Sequence, residues 1–510
     1  MKNRFLKITC FVFVLAFSAC TDEFLEESNP NSIPATEFLQ TENDVLLAVN
    51  GVYQSLRSSN TLGENSGLFT EERSDNTGRN DNQSNAGEPF QFNDFSILPS
   101  NTYLKNHWLE MYKVITRCNM VLSNIDNVTF SSPDVKAQYQ AEVKFIRGLI
   151  YFHLVRKWGD VPLVTQQLTT AAEIAANTFR EKQDKVYEQI VADLTEVVNS
   201  PLPNQQKGAT TGRVSKAAGN ALLGQVYLTM ATTLAQTNRQ SNLENAKKYL
   251  TAAYNMRTFG ELKEIPYQDV FDVTKKTTNP ELIFQIVYRQ GDINYSSSIA
   301  ANNQARGETI NSLKTATGVG GNVLTDLVKA YETGDLRKDF SIKYAENASV
   351  KDWFITKYRD VSPAAGTSGY GGNDWILMRY ADVILMLAEV NMYLGEEATA
   401  IQYLNMVRER ANMPLYEEVK NDPVYSQNFP TLKLAILHER RVELAFEHHR
   451  WFDLLRFFTT EELVDYMHSK AQSDYGRAQL ANFSAKDRFF PIPLDEYKLD
   501  PERMYQNEGY

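Results

Sequence analysis

Acidic and basic side chains recur at three- and four-residue spacing near the end of the chain: Arg440, Glu443, Glu447, Arg450, Asp453 and Arg456. On a helix this spacing places opposite charges on one face, where exposed pairs contribute about 0.3–0.5 kcal/mol each. We interpret the run as a structural clamp on neighbouring helices. Glu439, Glu443 and Glu447 could instead supply a general acid and base. Nothing in the sequence provides a cleft or a matched partner for that chemistry, so we predict no catalytic residue.

Six histidines are candidate metal ligands: His107, His153, His438, His448, His449 and His468. None stands in a His-Glu-x-x-His arrangement or beside cysteines at zinc spacing, so the sequence predicts no metal site. Gly-x-Ser-x-Gly, phosphate-loop and dinucleotide-binding motifs are absent as well. We therefore predict a protein without a cofactor that is not an enzyme.

Cys20 ends an N-terminal segment that has the layout of a secretory leader. Three cationic residues precede an apolar run over residues 8–19, which is too short to span a hydrocarbon core about 30 Å thick. Phe17-Ser18-Ala19-Cys20 resembles the bacterial lipobox, which directs diacylation of the cysteine, although leucine is more usual than Phe17. The segment predicts a lipoprotein signal peptide over 1–19 and lipid attachment at Cys20. A plain secretory leader that is cleaved elsewhere is the alternative.

The residues that follow Cys20 are acidic, with Asp22, Glu23, Glu26 and Glu27 close together. Such a stretch resembles the export signal that sends lipoproteins of Bacteroidetes to the cell exterior. An ordinary solvated tether would have the same composition. We expect residues 20–40 to form a tether and N-terminal segment, with the protein anchored by lipid in the outer membrane and facing outward.

The charge and the cysteines exclude two further classes of protein. The formal net charge is −11, and removing the three leader cations Lys2, Arg4 and Lys7 takes it to −14. Nucleic acid would be repelled on average, so we expect no nucleic-acid partner. Cys118 is the only cysteine beyond Cys20, which rules out a framework of disulfides within the folded chain.

Apolar residues at helical spacing dominate the rest of the chain. The predicted helices are Glu42–Leu56, Leu104–Ile125, Val135–Val155, Gln183–Val198, Lys216–Leu234, Asn242–Met256, Met378–Leu394 and Thr399–Arg410. Several form consecutive pairs that resemble tetratricopeptide units, notably 216–234 with 242–256 and 378–394 with 399–410, although no strict 34-residue period is present. The pattern predicts a mainly α fold in one large domain over residues 20–510.

Irregular segments separate the helix pairs: Thr61–Asn101, Gly291–Asn322 and Ser362–Asn373 are rich in Gly, Asn, Ser and Asp. Long loops inside a compact protein are usually binding loops or disordered segments. Short β-strands are expected at Glu281–Tyr288 and Trp353–Tyr358. Gly159, followed by Pro162, should end a helix and begin an extended exit.

Specific strings spread over the whole chain resemble the SusD/RagB family of nutrient-binding lipoproteins. They are Ala48-Val49-Asn50-Gly51-Val52-Tyr53, Phe145-Ile146-Arg147, Trp158-Gly159-Asp160-Val161-Pro162-Leu163, Gly212-Arg213-Val214, Arg379-Tyr380-Ala381-Asp382, Glu439-Arg440-Arg441-Val442-Glu443, Arg450-Trp451-Phe452-Asp453-Leu454 and Gln506-Asn507-Glu508-Gly509-Tyr510. These strings are mostly scaffold, so they identify the fold without locating a binding site. His448-His449 departs from the family pattern.

The resemblance implies a SusD-like fold and a role at the cell surface. Such a protein sits over a SusC-like TonB-dependent transporter, binds a glycan, and closes over the transporter to deliver the ligand. A peptide receptor of the RagB kind, a scaffold with only protein partners and a surface glycosidase are the alternatives. Family members tend to bind ligand through loops that correspond here to these candidate residues: Asp75, Asn76, Arg79, Tyr103, Tyr295 and Tyr370.

Overall fold

A computed structural model describes residues 39–63, 66–78, 87–292, 294–299, 322–346, 351–360, 362–368, 371–475 and 478–510. The predicted signal peptide, Cys20 and the tether before residue 39 lie outside these ranges. The α-helices of the first half are α1 Glu42–Ser55, α2 Thr102–Asn124, α3 Pro133–Trp158, α4 Ala171–Asn177, α5 Gln183–Asn199, α6 Lys216–Thr233 and α7 Arg239–Asn255. They form a row in which α1 packs on α2, α2 on α3, α3 on α5, α5 on α6 and α6 on α7.

The helices of the second half continue this row and add a layer to it. They are α8 Thr325–Ala330, α9 Leu336–Ser341, α10 Pro363–Ser368, α11 Tyr380–Tyr393, α12 Glu397–Arg410, α13 Tyr416–Val419, α14 Pro423–Asn428, α15 Leu432–Glu443, α16 Arg450–Phe457, α17 Thr460–His468, α18 Gln472–Tyr475 and α19 Leu494–Leu499. Helix α11 packs on α7 and α12, and α15 lies against both α11 and α12. The predicted mainly α fold is confirmed.

Both predicted helix pairs are observed: α6 packs against α7, and α11 packs against α12. Gly224 on α6 allows the first pair to approach closely, because a Cβ there would lie 2.6 Å from the Leu250 side chain on α7. Only a residue without a side chain fits this contact. One large apolar core runs through α1 to α3 and α5 to α7 and includes residues of α11, and a second lies between α11, α12 and α15.

Short strands support the loops between the helices. They are β1 Thr77–Gly78, β2 Val161–Pro162, β3 Arg180–Glu181, β4 Leu282–Ile286, β5 Asn322–Val323, β6 Ile342–Tyr344, β7 Trp353–Ile355 and β8 Trp375–Arg379. All pairings are antiparallel: β4 pairs with β8, β2 with β3, and β1-β5-β7-β6 form a four-stranded sheet. The expected strands near residues 282 and 353 are both present. Every residue of β4 is buried, as expected for a strand between helical layers.

Helix α3 begins and ends where its sequence directs. The Ser132 hydroxyl accepts a hydrogen bond from the Val135 amide, and Pro133 occupies the first helical position. The helix ends at Trp158, where Gly159 adopts φ 71°, a conformation that side chains disfavour. The predicted glycine stop is confirmed.

The charged run near the end of the chain is a clamp, but the prediction of one continuous, exposed helical face is wrong. Helix α15 ends at Glu443, and α16 begins at Arg450. Between them, Phe446 and His448 have positive φ values of 67° and 64°. The charged side chains are buried and bond to other elements. For example, Arg456 forms a bidentate ion pair with Glu389 of α11, with Nε–Oε1 and Nη2–Oε2 distances of 3.0 and 2.9 Å. Such pairs fix the geometry between helices, since losing one partner would leave a buried charge.

Arg379 is the centre of this network. Its guanidinium bonds to Glu281, Glu443 and Glu447, with N–O distances between 2.6 and 2.8 Å. Burial raises the pKa of Glu447, but Arg379 and Lys357 outweigh burial and bring it down to about 2. Glu443 is likewise held ionised by arginines that outweigh its burial. These glutamates are therefore fixed anions and are unsuited to proton transfer.

The C-terminal string closes the end of α3. The Asn507 amide donates to the carbonyls of Trp158 and Phe490 at 3.0 and 2.7 Å and accepts from Arg180 at 2.6 Å. The Gln506 side chain bonds both backbone groups of Ile492. The residues after 505 thus join the last segment of the chain to the first half of the helical row.

Candidate functional site

Two of the predicted binding residues, Asp75 and Asn76, are fully buried and serve the scaffold. Asp75 bonds Arg450 and Tyr466 and lies near Lys470. Asn76 accepts from Arg441 at 2.8 Å and donates to Glu71 at 2.8 Å. Their polarity is used inside the protein, so a ligand at the surface would not reach them.

The other candidates are divided between the surface and the undescribed part of the chain. Arg79 and Tyr370 lie outside the described residues. Tyr103 is 39% exposed in the first turn of α2, and Tyr295 is 43% exposed. Tyr295 has the better-defined surroundings.

Tyr295 stands at the tip of a turn that follows β4. The Arg289 amide donates to the Tyr295 carbonyl at 2.6 Å, and the Tyr295 amide donates to the Asp292 carbonyl at 3.0 Å. Gly291 makes the turn with φ 78°. The backbone is thus held by hydrogen bonds at both ends of the turn, and the aromatic ring projects from a supported position.

Arg57, just after α1, joins this turn to the helical row. Its guanidinium carbon lies 4.9 Å from the centre of the Tyr295 ring and 5.2 Å from that of Tyr288, and Nη2 donates to the Asn294 carbonyl at 3.0 Å. Cation–π contacts of this kind are worth about 0.5–2 kcal/mol. We call the surface formed by Arg57, Asp292, Asn294 and Tyr295 the Tyr295 surface.

A second predicted loop adjoins the Tyr295 surface. Ser297 and Gly371 form an antiparallel bridge with N–O distances of 2.8 and 2.9 Å. The Asp360 carboxylate accepts from the Gly372 amide at 2.7 Å and from the Gln290 side chain at 2.6 Å. Gly371 follows Tyr370 in the sequence, so two of the three predicted loops converge here.

The Tyr295 surface offers an aromatic face, a guanidinium, a carboxylate and a carboxamide within one turn and its neighbour. Sugars present alternating apolar faces and hydroxyl groups, which match rings and polar side chains respectively. The chemistry suits noncovalent recognition. Within the described ranges, no group of three or more His, Cys, Asp or Glu side chains could hold a metal ion.

A larger cavity, of about 880 Å³, lies between α8, α14, α15 and α17 and was not predicted from the sequence. Two stacked ring pairs contribute to its lining, Phe429 with His438 at 3.9 Å and Phe458 with Tyr466 at 4.8 Å between centroids. Its residues come from segments 326–333 and 419–470, and they meet only through tertiary packing. No local motif marks them.

The Asp326 and Glu332 carboxylates that line this large cavity are paired with basic side chains, whereas the Tyr331 and Tyr425 hydroxyls have no hydrogen-bond partner among the described residues. Asp326 accepts from Lys470 at 2.9 Å and pairs with Arg441 at 2.7 Å. Burial raises the pKa of Glu332, but hydrogen bonds from His438 and Arg408 lower it to about 2. The large cavity is therefore a polar cleft between aromatic walls, without an unpaired acid for catalysis.

The architecture defines a class of fold: a helical-repeat protein, in which a row of packed helix pairs carries long connecting loops. No described helix is both long and apolar enough to cross a membrane. Two family models match the sequence, "SusD family" over residues 340–510 and "Starch-binding associating with outer membrane" over residues 23–228. The chain belongs to the SusD/RagB family.

Relatives match along nearly the whole chain. "SusD-like protein P2" of Formosa agariphila is 29% identical over 533 residues, with 99% of each chain covered. The solved structure of a "Laminarin binding SusD-like protein" is 25% identical, with 92% of this chain and 100% of that one covered and a TM-score of 0.73. A surface glycan-binding protein A of Bacteroides thetaiotaomicron, solved with laminarihexaose, is 21% identical, with 92% and 100% covered and a TM-score of 0.71.

Proposed function

We propose that this protein is a cell-surface lipoprotein that binds an oligosaccharide and delivers it to a SusC-like TonB-dependent transporter of the outer membrane. The observation that carries the proposal is the Tyr295 surface, where an exposed ring on the turn after β4 lies beside Arg57, which follows α1. Membership of the SusD/RagB family supports the ligand class, as do two solved relatives, one a laminarin-binding protein and the other solved with laminarihexaose.

The mechanism follows from the rigidity of the scaffold. Hydrogen bonds hold the Tyr295 turn in place on the helical scaffold, so little conformational entropy of this turn is lost when a sugar docks. The Tyr295 ring would stack on a sugar face, while Arg57, Asp292 and Asn294 would bond its hydroxyls. Tyr103, Arg79 and Tyr370 remain proposed contacts.

The ligand is tested by calorimetry of the purified protein against panels of oligosaccharides and peptides. We expect a glycan to bind. Tyr295→Ala should lower the affinity for this glycan about tenfold, because a lost aromatic contact costs roughly 1 kcal/mol or more. Tyr249→Ala, which removes a half-buried ring stacked on Tyr227, is the matched control. Binding of peptides alone would contradict the glycan proposal in favour of a RagB-type receptor.

A second variant separates the two candidate sites. Phe429→Ala removes one wall of the large cavity and leaves the Tyr295 surface intact. If this variant loses the glycan while Tyr295→Ala retains it, the ligand site is the large cavity. New reducing ends after incubation with a polysaccharide would show a glycosidase instead of a pure binding protein.

The transporter partner has its own test. Affinity purification from outer membranes solubilised in detergent should recover a TonB-dependent β-barrel of the SusC type together with this protein. Recovery of the protein without any such transporter would contradict the delivery role and leave the binding role in place.

A further inference from the structure

A small pocket opens between helices α3, α5, α6 and α16 and the segment that precedes α19. Its volume is about 110 Å³, and three arginines contribute to its lining, Arg156, Arg456 and Arg488. At roughly 30 Å³ per water molecule, the pocket holds about four waters. That is room for one small oxyanion group and too little for an oligosaccharide.

Arg156 is a buried cation with unused donors. The residue is 8% exposed, and its guanidinium carbon lies 3.7 Å from the ring centres of both Phe152 and Phe452. Its one hydrogen bond within the described chain runs from Nε to the Phe152 carbonyl at 3.0 Å. Both Nη groups therefore lack a protein acceptor. Burial lowers the pKa of Arg156 to about 9, so the side chain stays charged at neutral pH.

Arg488 is the second cation in this position. Among the described residues it has no hydrogen-bond or ion-pair partner, and its one ring contact is with Phe489 at 5.8 Å. Tyr187 and Thr233 line the same pocket as the two arginines. Side chains with hydroxyl groups therefore share the pocket lining with the two guanidinium groups.

Arg456, which lines the same pocket, differs from Arg156 and Arg488 because carboxylates neutralise its charge. It bonds both oxygens of Glu389 and one oxygen of Asp453, at 3.0, 2.9 and 2.7 Å. No aspartate or glutamate lines the pocket itself among the described residues. Neither the buried Arg156 nor the partly buried Arg488 has a carboxylate within ion-pair distance among the described residues, so an anion from solution would offset the cost of burying this charge.

We propose that the pocket between Arg156 and Arg488 is a binding site for a small oxyanion, a sulfate, phosphate or carboxylate group. The two guanidinium groups supply charge-assisted hydrogen bonds, and the Phe152 and Phe452 rings hold Arg156 in one orientation. The site is separate from the Tyr295 surface and from the large cavity. The overall charge of the chain is negative, so a local arrangement of this kind is required to retain an anion.

The test measures thermal unfolding and calorimetric binding of the full mature chain with sodium sulfate and with sodium phosphate. Sodium chloride at equal ionic strength is the reference. We expect sulfate or phosphate to raise the Tm above the chloride value. Arg488→Gln should weaken binding about tenfold or more, because a hydrogen bond to a charged group is lost. Arg117→Gln, an exposed arginine on α2, removes the same charge elsewhere and should bind normally.

Arg156→Gln should abolish the rise in Tm with sulfate or phosphate. If the Arg156→Gln variant does not fold, the Arg488→Gln variant alone tests the proposal. A sulfated monosaccharide and a uronic acid form separate arms. Tighter binding of these sugars than of inorganic sulfate assigns the site to a charged substituent of a glycan, and equal binding assigns it to the free anion. Equal stabilisation by chloride, or unchanged binding in both arginine variants, would overturn the proposal.

Discussion

Arg450 and Asp75, 375 positions apart, form a bidentate ion pair in the interior of the protein, with Nε–Oδ1 and Nη2–Oδ2 distances of 2.7 and 2.9 Å. Asp75 lies in the segment matched by one family model and Arg450 in the segment matched by the other. The pair therefore joins the first loop region to the helices near the C-terminus. It gives a structural reason for a polar residue in a segment whose composition suggests a loop exposed to ligand.

Asp75→Asn tests this interpretation. Burial raises the pKa of Asp75, but Arg441, Arg450 and Lys470 hold it well below its usual range, so the native protein contains the carboxylate. Loss of this charge leaves three buried cations undercompensated, and we expect about 3–5 kcal/mol of destabilisation. Urea unfolding followed by circular dichroism measures it. Asp126→Asn, whose side chain is 73% exposed beside Lys136, is the control and should cost about 1 kcal/mol or less.

A destabilisation of Asp75→Asn no larger than that of the control would show that the cluster is held by packing alone. If Asp75→Asn keeps its full stability but no longer binds the ligand, Asp75 contacts the ligand directly.

Four histidines that are buried or half-buried should make the protein less stable in mild acid. Burial lowers the pKa of His107, His153, His448 and His449, with His448 reaching about 3. Because the folded pKa lies below the unfolded value of about 6.5, these groups contribute stability above that pH and lose it as the pH falls. Each contributes a slope of up to about 1.4 kcal/mol per pH unit in this window. Urea midpoints from about pH 7.5 to about pH 5 measure the slope.

His448→Asn is the variant that isolates one group. His448 has φ 64°, a conformation that asparagine tolerates better than most residues. We expect a smaller loss of stability on acidification than in the parent protein. Glu447, with a pKa near 2, titrates below the histidine window. Burial raises the pKa of Glu71 and Glu142, but both groups are present in the parent and in the variant, so the difference between the two proteins reports His448. Midpoints that do not change across the window would contradict the assignment.

Local sequence patterns predicted the helical row well, because its signals lie within single elements. The predicted helix Glu42–Leu56 is observed as Glu42–Ser55, and the Gly159 stop is where it was placed. By contrast, the break between Glu443 and Arg450 contains neither glycine nor proline. Its two left-handed residues are held by tertiary contacts, such as the bond from the Phe446 amide to Glu71. Spacing alone could not reveal it.

The candidate site was predicted less well, for a related reason. Polar residues in an irregular segment are usually exposed, yet Asp75 and Asn76 are buried by arginines more than 350 positions away. The convergence of the 291–299 and 362–373 segments likewise depends on the pairing of β4 with β8. The large cavity and the arginine pocket arise from packing between distant elements, which periodicity does not encode.

Asn507→Ala should destabilise the protein, although only three residues follow Asn507 in the sequence. Its amide satisfies the Trp158 and Phe490 carbonyls and accepts from Arg180. Loss of these bonds leaves partly buried groups unpaired, and we expect about 1–3 kcal/mol of destabilisation by urea unfolding. Asn177→Ala, which removes one exposed hydrogen bond within α4, is the control. Equal effects of the two substitutions would mean that the C-terminal segment does not secure α3.

Cys20→Ala tests the proposed lipid anchor, which depends on sequence because Cys20 lies outside the described residues. Diacylation requires the cysteine thiol. We expect the variant to fold normally and to leave the outer-membrane fraction. Fractionation must be done in a strain without the transporter, because binding to that partner would retain an unlipidated protein. Cys118→Ala removes the buried thiol of α2 and is the control that should stay with the membrane. If Cys20→Ala still sediments with outer membranes under these conditions, something other than this lipid holds the protein there.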